Sequence, residues 1–286
     1  MAVILVCMLL VLAGLVAAVR WGGLAVQPPP SPVPEAADLA DRPPVGLVAQ
    51  RYLWYLTVAV ASGVGAGLLA AGAGGRLVMR LLAVTAGPTA QGRVTEADQV
   101  VGRISVDGTL GFIIFTGLFF GLASGAAYLL LHRWLPTGRT GGLAYGALLL
   151  VVAGTRLEPL RPGNLDFDLV GPGWVSVAAF TALVMFHGML LAALAGRLSR
   201  ALPLLASRPR AIAAYAPLLL LLPLAPVALL LVLVGLGIGL ASQIGPVAAA
   251  WRDRRLLVIG RVALALVALV SLPGFATAVI DILGRG

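Results

Sequence analysis

The chain has 286 residues, of which 60% are hydrophobic and only 11% charged, whereas a soluble domain is about half apolar and a quarter charged. That balance excludes a water-facing exterior, and the formal charge of +9 then belongs beside membrane headgroups rather than on nucleic acid. All twenty basic residues are arginine, which excludes chemistry on a lysine amine, such as a retinal or pyridoxal Schiff base, and also the lysine of a P-loop.

Seven long apolar runs follow one another, and each of the five tryptophans stands where a run begins or ends. Tryptophan prefers the headgroup level, so Trp21, Trp54, Trp134, Trp174 and Trp251 read as an aromatic belt. The first run, residues 2–19, lacks a positively charged start and a clean A-x-A cleavage site. It is expected to be a retained span anchored by Arg20 and Trp21. Cys7, the only cysteine, lies inside it and can form neither an intrachain disulfide nor a CxxC metal site. Residues 28–34 are proline-rich and open an extended linker.

The second run, residues 53–73, is unusually rich in glycine. It continues into residues 75–82, where Arg76 and Arg80 share one helix face, an amphipathic exit expected to lie at the interface. In the polar loop that follows, Thr95-Glu96-Ala97-Asp98 carries a helix-start signal. Residues 103–108 alternate as a short strand and turn.

The third run, residues 110–131, places Gly117, Gly121 and Gly125 on one stripe. Such small-xxx-small patterns let another backbone approach closely. The partner is expected within the chain, or else in a second copy or another membrane subunit. The fourth run covers residues 143–154. The loop after it holds Arg156, Glu158, Arg161, Asn164, Asp166 and Asp168. Its carboxylates could contact a cation or substrate through hard oxygens, but the arginines among them favour an ion-paired loop, and no metal site is assigned.

The fifth run, residues 175–198, contains His187, an ionisable residue that needs a partner inside a bilayer. His132, at the end of the third run, would lie about 16 Å away in depth by helix rise, which argues against a bis-histidine haem. No cofactor is expected. Ser124 would lie within about 6 Å of the depth of His187, an arrangement that resembles rhomboid-type intramembrane proteases. The context Leu122-Ala123-Ser124-Gly125 lacks the first glycine of that family's GxSG motif, and no oxyanion-hole pair precedes it.

The sixth region, residues 212–250, would reach about 58 Å as one helix, nearly twice the hydrocarbon thickness. Pro217, Pro223, Pro226 and Gly245-Pro246 are expected to break it. The last run, residues 256–283, is expected to be interrupted at Pro273-Gly274, with Arg261 snorkelling to the interface. Arg197, Arg200, Arg208 and Arg210 form an acid-free loop that belongs in the cytoplasm. Counting back places the N-terminus outside the plasma membrane. Arg252, Arg254 and Arg255 obey the same rule only if the sixth region is a re-entrant hairpin.

Residues 75–82, Thr95-Glu96-Ala97-Asp98 and residues 166–172 resemble an uncharacterised family of multi-span membrane proteins from GC-rich, actinobacterial-type bacteria. The resemblance spans roughly residues 50–195 and implies membrane residence without assigning an activity.

The sequence thus predicts an all-α polytopic protein of about seven transmembrane helices with a Pro/Gly-broken sixth region. Residues 1–21 form an N-terminal helix, 22–51 a proline-rich linker and 52–286 a helical membrane bundle. Lacking a catalytic motif, the chain is read as a non-enzymatic accessory or structural subunit in the lipid bilayer, with a partner membrane subunit or a homodimer as its company. The alternatives are a small-solute or ion transporter, using the broken region with His187 and Arg261, and an intramembrane hydrolase using Ser124 and His187.

Overall fold

A computed structural model describes residues 2–30, 44–206 and 209–285; much of the proline-rich linker, and Arg208, lie outside the described residues. The fold is all-α, 76% helical with no strand among the described residues, and Val94 and Val100 form an isolated antiparallel bridge. In chain order the helices are α1 (Ala2–Trp21), α2 (Val45–Thr85), α3 (Val106–Leu131), α4 (Gly138–Val152), α5 (Gly173–Ala201), α6 (Pro209–Ala213), α7 (Ala225–Ser242), α8 (Gly245–Arg252) and α9 (Arg254–Leu283). Five of them, α1, α2, α3, α5 and α9, are long and apolar enough to cross a membrane. The fourth run is shorter, a helix of 15 residues, and the sixth is divided among α6, a 3₁₀ turn at Ala216–Leu221, α7 and α8.

Contacts at the helix termini define the two ends of the bundle. At one end Gln27 N donates to Ser199 Oγ (3.0 Å), Trp54 Nε1 to Leu202 O (3.0 Å) and Trp134 Nε1 to Leu256 O (3.2 Å). At the other, Gly173 N donates to Arg285 O (3.3 Å) and Glu96 N to Asp166 Oδ1 (2.8 Å). Helices α1 to α5 and α9 therefore alternate in direction. The broken sixth region leaves and returns at the first end, so Arg197, Arg200, Arg210, Arg254 and Arg255 gather there. Tyr52, near the start of α2, donates its hydroxyl to Leu231 O and holds α7 against that end.

Glycine sets how closely the helices approach. Gly63 and Gly67 on α2 lie against Gly117, Gly121 and Gly125 on α3, backbone on backbone. A Cβ on Gly67 would meet the Gly117 carbonyl oxygen and stand 2.7 Å from Gly121 Cα. The stripe on the third run is thus used inside the bundle. A second close contact sets Gly142 and Gly146 of α4 on Gly188 of α5, where a Cβ on Gly188 would lie 2.6 Å from Gly146 N. Two π-turns, Gly67–Gly72 in α2 and Ile113–Gly117 in α3, face one another across the first contact.

Several local expectations change. Trp54 is fully buried, at 0% exposure, because α2 begins at Val45 and carries it inside the bundle; Trp174 and Trp251 remain exposed. Residues 75–82 continue α2 and pack on α1 and α5. Thr95 begins a tight turn, with its Oγ1 accepting from Gln99 N at 3.1 Å and Asp98 at φ 55°; no apolar run follows to reward a helix there. Residues 103–108 are not a strand and turn: Ser105 caps α3, its Oγ accepting from Gly108 N at 3.1 Å. Helix α9 runs unbroken through Pro273, where Thr277 Oγ1 donates to Pro273 O at 2.6 Å. That bond goes to the carbonyl of Pro273 itself and not to that of Leu269, the acceptor that a proline at 273 leaves without its N–H.

Candidate functional site: a cavity ending at His187

His187 sits at the midpoint of α5, about 21 Å from either end by helix rise, and is 1% exposed. Its Nε2 lies 2.8 Å from Ser124 Oγ, because glycine contacts draw α3 onto α2 and α5 onto α4 while α5 also packs on α2. Ser124 Oγ is also 3.3 Å from Gly121 O, and Tyr145 donates its hydroxyl to Ser124 O at 2.6 Å. The Phe120 ring covers the imidazole, with centroids 5.0 Å apart. The other nitrogen, Nδ1, has no hydrogen-bond partner among the described residues, and the backbone of Ala66 lies beside the imidazole. Either the serine hydroxyl donates to the ring, leaving a proton on Nδ1, or Nε2–H donates to the serine, leaving a lone pair there.

A cavity of about 800 Å³ ends at this histidine. Its walls are apolar over much of their depth, with Cys7 from α1, Ala71 and Gly75 from α2, and Phe112, Phe115 and Phe120 from α3. Arg76, Arg80 and Arg103 stand nearer its loop end. Arg76 donates to Thr109 Oγ1 at 3.1 Å, lies over the Phe112 ring at 5.7 Å and approaches Met79 Sδ at 3.9 Å. Arg80 donates to Gly102 O at 3.4 Å. Neither guanidinium pairs with a carboxylate among the described residues.

The acids at the rim are already engaged. Arg161 makes a two-pronged contact to Glu96 (2.8 and 2.7 Å) and a further one to Glu158 (3.1 Å), and these hydrogen bonds hold its pKa above the usual guanidinium value. Asp166 accepts from Glu96 N and is itself positioned by Asn164, whose Oδ1 accepts from Asp166 N at 2.8 Å. Asp168 lies 3.8 Å from Arg285, which also binds Asp281 at 2.7 Å. Arg156 donates to Val152 O at 2.6 Å. The loop is therefore an ion-paired cap joining three segments of the chain.

Of the residues singled out in the sequence, Ser124 and His187 come together, and Gly117, Gly121 and Gly125 support them from α3. Glu158, Arg161, Asn164 and Asp166 reach the cavity rim. Arg261 does not join them; it is exposed on α9. His132 lies beyond the end of α3, where its Nδ1 meets Leu129 O at 2.7 Å and burial holds its pKa down. Sequence reasoning missed Arg76 and Arg80 as cavity groups. Their i, i+4 spacing was visible, but it read as an amphipathic exit lying at the interface. The chain matches no family model, and neither a similar curated protein nor a similar solved structure was found, so the functional reading rests on this geometry alone.

Proposed function

We propose that the protein is a membrane-embedded binding protein for an amphiphile that enters the cavity from the bilayer. The observation that carries this reading is the cavity itself: apolar walls inside the bundle, and an open side where α1 packs on α2 and α5 but scarcely touches α3. A drug-sized ligand site has a volume of about 300–1,000 Å³ and few polar groups, and this cavity falls in that range. The accessory-subunit reading loses its main support because the glycine stripe is spent on α2. Of the groups named for the transporter reading, His187 lines the cavity, whereas residues 235–243 and Arg261 do not. By the positive-inside rule the arginine-rich end belongs in the cytoplasm, which puts the N-terminus and the cavity rim outside.

Native mass spectrometry of the protein extracted gently from its own membrane tests the reading. A discrete lipid-mass adduct, one per chain, is expected, and it should disappear in Ala71→Trp and Thr116→Trp, which fill the cavity and its open side. An adduct retained in both variants, or none in the parent protein, overturns it.

A second reading is favoured by the 2.8 Å Ser124–His187 contact, a distance suited to general-base activation of a nucleophile. Ser124 Oγ would add to an ester carbonyl as its proton passes to His187 Nε2, the alcohol would leave with that proton, and water would release the acid. Against it, His187 lines the cavity and Ser124 does not. A fluorophosphonate probe should label the protein and spare Ser124→Ala; labelling of both, or of neither, removes this reading.

A further inference from the structure

Building on the amphiphile-binding reading, we infer that the ligand carries an anionic, phosphate-type headgroup held by Arg76 and Arg80, with its apolar chain running toward His187. An arginine within a membrane helix is costly unless something offsets its charge. Arg76 and Arg80 lie on successive turns of one face of α2, beside each other on the cavity wall. Each guanidinium has five N–H donors, yet Arg76 spends them on one hydroxyl and one thioether, and Arg80 on one carbonyl. Thr109, itself held by Ser105 O at 2.8 Å, fixes the Arg76 plane and leaves its remaining edge to a ligand. Planar donors of this kind match the paired oxygens of a phosphate.

The other charges on the cavity fit this assignment. Glu96 and Glu158 are occupied by Arg161, and Asp166 by the backbone of Glu96. Arg103 adds a third cation facing the same space and carries no ion pair among the described residues. The positive potential is therefore left toward Arg76 and Arg80. Ala66, beside the imidazole of His187, is ten residues before Arg76, about 15 Å along the helix. A headgroup at the arginines thus leaves that length of mostly apolar cavity for a chain, and the unpartnered His187 Nδ1 marks its inner limit.

The test uses the whole protein in nanodiscs of phosphatidylcholine, titrated with phosphatidic acid, with diacylglycerol bearing the same chains, and with inorganic phosphate. Bound species are counted by native mass spectrometry. Phosphatidic acid should bind at least about tenfold more tightly than diacylglycerol, and Arg76→Gln and Arg80→Gln should each remove about tenfold of its affinity. Diacylglycerol binding should be unchanged in both variants, which reports that they remain folded. Equal affinity for the two lipids overturns the headgroup assignment and leaves the cavity reading standing. Binding of neither lipid overturns both. Phosphate alone binding as tightly as phosphatidic acid also overturns the assignment, since the site would then serve a water-borne ion.

Discussion

Replacing Gly67 by alanine should destabilise the bundle, although alanine is the better helix former. The added Cβ meets the Gly117 carbonyl oxygen and stands 2.7 Å from Gly121 Cα. Both are backbone atoms of α3, so no side chain can rotate away and the two helices must part. Overpacking of this kind costs about 1–3 kcal/mol, against about 1 kcal/mol gained from helix propensity, for a net loss of up to about 2 kcal/mol, and the clash with rigid backbone puts Gly67 at the upper end. Gly237→Ala is the matched control: it lies in α7 with no heavy atom within 4 Å of its Cβ, so it should be neutral or stabilising by up to about 1 kcal/mol. Cys7 supplies the assay, because it is the single thiol and is 2% exposed. A thiol-reactive dye therefore reports unfolding, with each kcal/mol moving the midpoint by about 2–4 °C. If Gly67→Ala melts at or above the parent protein, the backbone contact between α2 and α3 is not as described.

Trp54→Phe removes the indole donor to Leu202 O (3.0 Å) and leaves a buried carbonyl unpaired, a loss of about 1–3 kcal/mol. The same dye assay should show a clear fall in melting temperature, while Trp174→Phe, at 65% exposure, should show none; similar falls would restore Trp54 to the interface. The pKa of His132 is held down by burial, with Arg133 adding to it. Between the folded value and about pH 6.5 the unfolded chain therefore binds more protons, so stability rises with pH there and is lost on acidification. His132→Gln should flatten the melting temperature between about pH 5 and 7.5 relative to the parent, and an unchanged slope would assign the effect elsewhere.

The helical class was legible because apolar runs of bilayer length leave no other fold for so little charge. The broken sixth region was legible from its prolines, and the same-end return of the chain from two arginine groups that had to agree. Pro273 misled because a proline removes one backbone bond from a helix without having to end it, and α9 continues on both sides of it. Trp54 misled because the belt argument needs the helix start, and α2 starts eight residues before the apolar run does. Ser124 and His187 could be placed at a common depth by counting residues. Their contact required knowing that α2 brings α3 and α5 together, which depends on glycine pairs read only in three dimensions. The cavity was invisible for the same reason: nothing in a linear pattern marks where two helices fail to touch.

The π-turn at Gly67–Gly72 has a consequence for which way the arginines face. A π-turn amounts to one residue inserted into an α-helix, and one residue is about 100° of rotation. Every side chain of α2 beyond Gly72 is turned by that angle relative to the glycine face that grips α3. Regularising that turn to α-geometry with every residue kept would preserve the Gly63–Gly67 contact and swing Arg76 and Arg80 by about 100° away from the space they now line, whereas deleting one residue along with the turn would leave them in place. The glycine seam and the cationic wall are thus two faces of one helix whose relative phase is set by a single wide turn that absorbs one residue.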